Sequence, residues 1–489
     1  MAQDRHSKIT FLQTGDIPYI GIMSLSAVLK QHGFSTDVFS TDLEEDIVEA
    51  VLRSEPTILA CSAMTTTFRH VMAVIRAIKR KKPNLFIIVG GPHPTFFPEI
   101  ILTEDEIDAV CRGEGEYALL ELATSMEQGA IREDIQNIWI KRNGRVVRNE
   151  VRALISDLDY LPFPDRDIFF TRYPFMADRT TRFMMSRGCP FNCSYCFNKG
   201  MKELYKGKGS WLRYKSIDYS IAEIKDVHQK YPLKWVSFMD DTFNADKIRF
   251  KEFISRYEHE VGIPFICQMR VDLADEEQIE YLKQAGVSRI SIGIEHGDEE
   301  FRKKMLYRNI SNKQILDFGR WINKRKIRLA TQNILGFPEE TVDLAFATIE
   351  LNASIKPEIA DCSILNPYPG TDIYDFAKQN NYLDNDFDFN NLHGHSNAYL
   401  DSQLKVTSVI RNKHIKQLIN LRCFFMILVW YPWLKPLVKV LILLPYNRLY
   451  EFIFQITGTF RLSWRFGDTS ERKLLLKKLL GILVQPPRT

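Results

Sequence analysis

Short apolar runs alternate with amphipathic ones through the first 112 residues. Residues 8–13, 36–39, 57–62, 85–90 and 109–112 read as strands, while 21–31 and 68–81 carry apolar positions at helical spacing. That alternation predicts an α/β domain of the doubly wound, Rossmann-like kind, built on a parallel sheet. Ligands of such sheets bind beyond the carboxyl ends of the strands, which draws attention to the loops at 14–19, 63–67 and 90–95. Residues 137–149 predict a hairpin, with Asn143-Gly144 supplying the residues of a tight type I′ turn. A Pro- and Asp-rich connector at 157–167 follows and marks a domain boundary.

From Thr181 the alternation resumes, with strands expected at 182–186, 235–239, 265–269, 289–293, 329–335 and 359–365. Six strand-helix steps of parallel type predict a partial (β/α)6 barrel, whose active site forms at the C-terminal ends of its strands. The expected domains are therefore 1–150, Rossmann-like; 151–178, a linker; 179–372, the partial barrel; and 373–489, a mainly helical C-terminal region. In the last region 424–434 carries no charge and 436–445 nearly continues it, but Lys435, Lys439 and three prolines interrupt a run that would need about 20 apolar residues to cross a bilayer. Residues 470–484 place leucines on one face and Arg472, Lys473, Lys477 and Lys478 around the rest, as interfacial helices do. Two readings stand for this region: helices packed over the barrel or a dimer contact, and contact with a membrane surface.

The chain has 489 residues, 45% hydrophobic and 26% charged, enough for two or three globular domains. A formal net charge of +4 gives no global field that would argue for nucleic acid as a partner. Eight cysteines in a chain this long do not make a disulfide framework, and the first ten residues lack the apolar core of a signal peptide; both predict a reducing, cytoplasmic setting.

Three of those cysteines stand together in Gly188-Cys-Pro-Phe-Asn-Cys-Ser-Tyr-Cys-Phe197. A C-x3-C-x2-C loop can bring Cys189, Cys193 and Cys196 onto three irons of a cubane, leaving the fourth iron open to a small molecule. Structural zinc usually takes four ligands as two pairs, and 198–211 holds neither Cys nor His. Other candidates sit where barrel strands should end. Asp240 and Asp241 follow the second strand and could meet a cationic amino group or cap the next helix. The fourth strand leads through Ser291-Ile-Gly293-Ile-Glu295-His-Gly297 and the fifth through Asn333-Ile-Leu-Gly336-Phe-Pro-Glu-Glu340. Arg213 and Arg270 are candidates for a carboxylate or substrate anion, although Arg270 could simply pair with Asp272. Cys267 and Cys362 fall inside strands and read as apolar filler.

The cysteine loop, with Tyr195 directly before its third thiol, resembles that of the radical S-adenosylmethionine (SAM) enzymes. The resemblance implies a 4Fe-4S cluster on Cys189, Cys193 and Cys196, SAM chelated to the open iron, an external electron donor, and reductive cleavage of SAM to a 5′-deoxyadenosyl radical. It places Tyr195 against the adenine, gives Asp240 and Asp241 the SAM ammonium, and makes Ser291, Glu295 and Asn333 further SAM contacts. The N-terminal part resembles cobalamin-binding domains, which carry Asp-x-His-x-x-Gly, Ser-x-Leu and Gly-Gly; this chain has Asp16-Ile-Pro18-Tyr-Ile-Gly21, Ser62-Ala-Met64 and Gly90-Gly91. By that likeness Ser62, Gly90 and Gly91 line the nucleotide tail of cobalamin, while Pro18 replaces the histidine that would ligate cobalt. The likeness spans residues 8–371 and points to the group that includes radical SAM methyltransferases and anaerobic magnesium-protoporphyrin ester cyclases. The implied activity is methylation or cyclisation at an unactivated carbon of a small hydrophobic substrate. Methylthiotransferases of the same superfamily carry three further N-terminal cysteines, whereas only Cys61 and Cys111 precede Cys189 here. A zinc-stapled membrane-surface adaptor without catalysis is the remaining alternative.

Overall fold

A computed structural model of the chain describes residues 7–177, 181–384, 387, 408–450, 452–454 and 456–457. Its contacts group into two compact units: residues 1–191 with 197–241 and 259–264, and residues 192–196 with 242–258 and 265–489.

In the first unit the apolar runs form β1 (Lys8–Gln13), β2 (Ser35–Ser40), β3 (Ile58–Ser62), β4 (Phe86–Gly90) and β5 (Ala109–Cys111), all pairing in parallel. The hairpin forms as β6 (Ile138–Arg142) and β7 (Arg145–Arg148), with φ of 51° at Asn143 and 75° at Gly144 as a type I′ turn requires. Its first strand also pairs antiparallel with β5, giving a seven-stranded sheet of order β2-β1-β3-β4-β5-β6-β7. Ile9, Phe11 and Ile88 bury one face of that sheet with Leu119 and Leu122, and Leu12, Leu59 and Val89 bury the other with Val71 and Ile75. Burial on both faces explains why β3, β4 and β5 are near-continuous apolar runs.

The first barrel strand was expected over 182–186 and is instead broken in two. β8 (Thr181–Phe183) pairs in parallel with β11 (Val236–Phe238), whereas β9 (Ser186–Arg187) pairs antiparallel with β10 (Arg213–Tyr214). Asp240 holds the break: its Oδ1 accepts from Met185 N at 3.1 Å, which takes that amide out of the ladder, and from Ser186 Oγ at 2.5 Å.

In the second unit β12 (Phe265–Met269), β13 (Val287–Glu295), β14 (Arg328–Leu335) and β15 (Ile359–Ile364) run parallel, each beside the next. The helix Ile415–Trp430 packs over this sheet, where Leu418, Leu421, Phe425 and Leu428 join Leu335, Phe346, Ile349 and Ile364 in one buried cluster. Arg422 on that helix is buried, donating from Nε to Cys362 O at 3.0 Å and stacking on Phe454. Most of the charge-free run is therefore core. Residues 470–484 lie outside the described residues, and among the described ones no helix is long and apolar enough to cross a membrane.

Candidate functional site

Ser62 ends β3 and Gly90 ends β4, side by side in register. The chain then turns back on itself: Ala63 N donates to Gly90 O at 2.9 Å and His93 N to Ala63 O at 3.1 Å. Gly91 takes φ of +99°, and a Cβ there would stand 2.8 Å from Ala63 O and 3.3 Å from Ser62 Oγ. Only glycine fits this close approach. His93, in the short helix Pro92–Phe96 that follows, is buried and packs against Phe68 and Phe97 with Nδ1 3.3 Å from Thr65 Oγ1.

Beyond these strand ends opens a cavity of about 530 Å³. Its lining includes Ser62, Gly90 and Gly91 and also Gly188, Phe197 and Asp241. Tyr19, next to Pro18, lies on its wall with its hydroxyl 3.1 Å from Thr14 Oγ1. Gly91→Ala combines a left-handed backbone with a main-chain clash, so we expect a loss of about 2–4 kcal/mol in chemical denaturation and weaker cobalamin retention. An unchanged unfolding midpoint would contradict this reading of the turn.

The end of the cavity near the cysteine loop is charged. Arg187, two residues before Cys189, donates from Nη1 to Glu114 Oε1 at 2.9 Å and from Nη2 to Glu116 Oε1 at 2.6 Å. Arg213 donates to the same Glu114 Oε1 at 2.8 Å, and Ser24 Oγ to Glu116 Oε1 at 2.9 Å. Arg213 is thus spent on an internal ion pair. Gly188 has φ of +90°, and a Cβ on it would collide with the Trp211 carbonyl. Trp211 Nε1 donates to Asn198 Oδ1 at 2.8 Å, and Asn198 Nδ2 to Asp241 Oδ2 at 3.2 Å, which fixes Asp241 on the cavity wall.

Asp240 is buried, and its Oδ2 has no hydrogen-bond partner among the described residues. Burial pushes its carboxyl up to about 6, against the hydrogen bonds from Ser186 and Met185 that favour the charged form. The capping role open to this acid pair falls instead to Asp246, whose Oδ1 accepts from Ile248 N and Arg249 N at 3.0 Å each. A carboxyl near 6 when folded and near 3.9 when unfolded binds its proton more tightly in the folded state, so stability falls as pH rises through that window. Asp240→Asn removes the penalty and should stabilise the unliganded protein by about 1–3 kcal/mol above pH 7, with little effect near pH 4. Urea titrations at both pH values check this; no gain at the higher pH contradicts it.

In the second unit Cys193 is buried, while Cys196 is half-buried, as is Cys189 in the first. Arg270 Nη1 donates to Cys193 Sγ at 3.6 Å and Arg308 Nη1 at 3.8 Å, two cations on one sulfur. Arg270 also grips Asp272 with Nε at 3.0 Å and Nη2 at 2.9 Å, so the pairing open in the sequence forms, and the thiol contact forms with it. Arg308 also donates to Tyr195 Oη at 3.2 Å and to Gly293 O at 2.6 Å. Burial pushes the Glu295 carboxyl up, with Arg308 opposing, and pushes the Tyr195 hydroxyl well above its ordinary range. Burial alone would lower the Arg308 guanidinium, but Tyr195, Glu295 and Cys193 together hold it above its usual value. Glu295 itself has φ of +65° where the β13–β14 register shifts, and its carboxylate folds over Gly293, where any Cβ would collide with it. A non-glycine residue in that conformation at a strand end is strained in the way functional sites often are.

The structure thus gathers Cys193, Tyr195 and Glu295 around Arg308, and Asp240 and Asp241 beside the end of β11. Ser291 lies half-buried in β13, in register with Gln268 and Ala330. Asn333 is buried in β14, where its Nδ2 donates to Asp361 O of β15 at 2.9 Å and its Oδ1 accepts from Asn352 Nδ2 of the following helix at 2.8 Å. Cys61 and Cys111 are buried in their strands, and burial raises both thiols, Cys111 to about 12. Sequence reasoning missed Arg308, which lies in a loop with no local pattern to mark it, and Arg187, whose acidic partners lie some 70 residues earlier.

These residues fit the groups the sequence implied. A thiol beside two guanidiniums is suited to act as a thiolate ligand, the orphaned Asp240 oxygen suits an ammonium, and the Ser62–Gly91 cradle admits close backbone approach. Among the described residues no three His, Cys, Asp or Glu side chains could share one metal ion; a cubane instead spreads three thiolates over three irons.

Residues 12–123 match the B12 binding domain and residues 183–351 the radical SAM superfamily. An uncharacterized methyltransferase of Pyrococcus horikoshii is 31% identical over 372 residues, covering 75% of this chain and 80% of that protein. The anaerobic magnesium-protoporphyrin IX monomethyl ester cyclase of Rubrivivax gelatinosus is 26% identical, covering 74% of this chain and 66% of that one. Among solved structures, the cobalamin-dependent SAM radical enzyme OxsB, with aqua-cobalamin and SAM bound, superposes with a TM-score of 0.67 at 16% identity over 97% of this chain and 75% of its own. The radical SAM methyltransferase TsrM of Kitasatospora setae, with cobalamin and a [4Fe-4S] cluster bound, gives 0.63 at 16% identity over 76% and 78%. At that identity the two structures speak for the fold.

Proposed function

The chain belongs to the radical SAM enzymes that carry a cobalamin-binding domain, and from that premise we propose that it methylates, or closes a ring at, an unactivated carbon of a small and largely apolar molecule. When bound, the cluster and SAM supply a radical able to remove a hydrogen atom from such a carbon, and cobalamin supplies a methyl group. The chain's own part is positional. Cys189, Cys193 and Cys196 would hold the cluster, with Arg270 and Arg308 favouring the charged form of Cys193. Asp240 and Asp241 would offer carboxylates to the SAM ammonium, Glu295 would be a further SAM contact, Tyr195, bonded by Arg308, would lie against the adenine, and Ser62, Gly90 and Gly91 would line the nucleotide tail of cobalamin.

One observation carries the reading. One cavity is lined both by Ser62, Gly90 and Gly91 and by Gly188 and Asp241, and much of its wall is apolar, with Leu25, Ile88, Leu119, Met184, Met201 and Trp211. An apolar wall excludes water from a reactive carbon and suits a hydrophobic substrate.

Methyl transfer is favoured by the Pyrococcus relative, named a methyltransferase, and ring closure by the Rubrivivax relative, named a cyclase. Anaerobic turnover with SAM, an external reductant and candidate apolar substrates separates them. S-adenosylhomocysteine appearing together with 5′-deoxyadenosine supports methylation, and 5′-deoxyadenosine alone supports ring closure. Formation of neither overturns the proposal.

A further inference from the structure

Behind the buried helix Ile415–Trp430 the chain turns through Pro432–Leu434 into the short helix Lys435–Leu441. Val438 and Ile442 point inward, and Asn420 Nδ2 donates to the carbonyls of Ile442 and Leu444 at 3.0 and 2.8 Å, pinning this segment along the helix beneath it. The opposite side is open. Trp433 is 74% exposed, Leu437 56%, Val440 60% and Leu443 66%, with Tyr431, Leu444 and Leu449 also exposed. The spacing of Trp433, Leu437 and Val440 puts them on one helical face, so they form a ridge rather than scattered surface residues.

The charges carried by this stretch of chain have one sign. Between Asp401 and Glu451 the sequence has no Asp or Glu, but it has Lys413, Lys416, Lys435, Lys439 and Arg448. The nearest carboxylates come from the neighbouring helix Val342–Ile355, where Glu350 pairs with Lys435 and Asp343 lies 3.8 Å from Lys439. Lys413, Lys416, Lys439 and Arg448 are exposed. A protein partner could cover apolar side chains, but an apolar ridge with Trp and Tyr among its exposed residues, on a segment whose own charges are all positive, matches an anionic lipid surface in both of its layers.

We propose that this ridge seats the enzyme on an anionic bilayer surface. Trp433, Leu437, Val440 and Leu443 enter the boundary between headgroups and acyl chains, while Lys416 and Lys439 face lipid phosphates. The segment lies on the membrane and does not span it, in keeping with its length and its prolines. The inference rests on surface residues far in sequence from the cysteine loop and stands whether the substrate is methylated or cyclised.

Co-sedimentation of the full-length protein with vesicles of phosphatidylglycerol and phosphatidylcholine, against vesicles of phosphatidylcholine alone, tests it. Wild type should bind the anionic vesicles and lose binding at high salt. Trp433→Ser combined with Leu437→Ser should weaken binding about tenfold or more, and Lys416→Glu with Lys439→Glu should remove the preference for anionic lipid. Near-ultraviolet circular dichroism and the unfolding midpoint confirm that the variants stay folded. Wild-type binding by the Trp433/Leu437 variant would place the contact in another segment and overturn the proposal. Failure of the wild type to bind, or a dimer that the same variant dissociates, would overturn it equally.

Discussion

Cys193→Ala yields a colourless protein after anaerobic reconstitution with iron and sulfide, and 5′-deoxyadenosine formation falls at least about a hundredfold. Altering a second-layer partner of a metal centre typically costs 10–100-fold, so losing a ligand should cost no less. Cys193 is the most buried thiol of the loop and the one that both Arg270 and Arg308 touch. Removing it leaves two guanidiniums facing an empty, largely desolvated volume, which is why we expect a deeper loss there than at half-buried Cys189 or Cys196. Iron content, the charge-transfer absorption of the cluster and 5′-deoxyadenosine are measured on the same sample. Cleavage of SAM by the variant at near wild-type rate would defeat the assignment of the loop.

Arg308→Met should be the most damaging change outside the cysteines. Arg308 bridges Cys193 Sγ, Tyr195 Oη and Gly293 O, and its charge opposes the burial that raises Glu295. Breaking a buried charged contact by deleting one partner costs about 3–5 kcal/mol. The pH dependence follows from Glu295. Without Arg308 its folded carboxyl rises further above the unfolded value of about 4.3, so the variant loses stability as pH rises through that window. The deficit against wild type should therefore be larger at pH 8 than at pH 5. Arg308→Lys keeps the charge but cannot make the three contacts at once, and we expect intermediate stability with weakened SAM binding. A pH-independent deficit would mean that Glu295 is not the group Arg308 serves.

Much of this was legible in the sequence, for identifiable reasons. β3 to β5 are buried on both faces and so appear as near-continuous apolar runs, and Asn143-Gly144 carries its own turn chemistry. The cysteine loop is local, and its spacing survives any rearrangement around it. What stayed hidden was non-local. The break after Phe183 is held by Asp240, more than 50 residues on, through hydrogen bonds to Met185 and Ser186. Two-residue alternation also misleads past Gly293, because the register shifts there and turns Glu295 into a left-handed conformation. Asn333 was read by its place at a strand end, and its hydrogen bond with Asn352 on the following helix has no local pattern to mark it. For residues 424–430 the sequence left packing over the barrel and contact with a membrane surface side by side, because the apolar sheet side and helix Val342–Ile355 that they cover are non-local.

One cavity is lined both by Ser62, Gly90 and Gly91, proposed here to line the cobalamin tail, and by Gly188 and Phe197, which flank the cysteine loop. Electron paramagnetic resonance of reconstituted protein, with cobalt as cob(II)alamin and the cluster reduced, tests it most directly. The account predicts a magnetic interaction that broadens or splits both signals and that Gly91→Ala weakens. Two unperturbed, independent signals from fully loaded protein would contradict it.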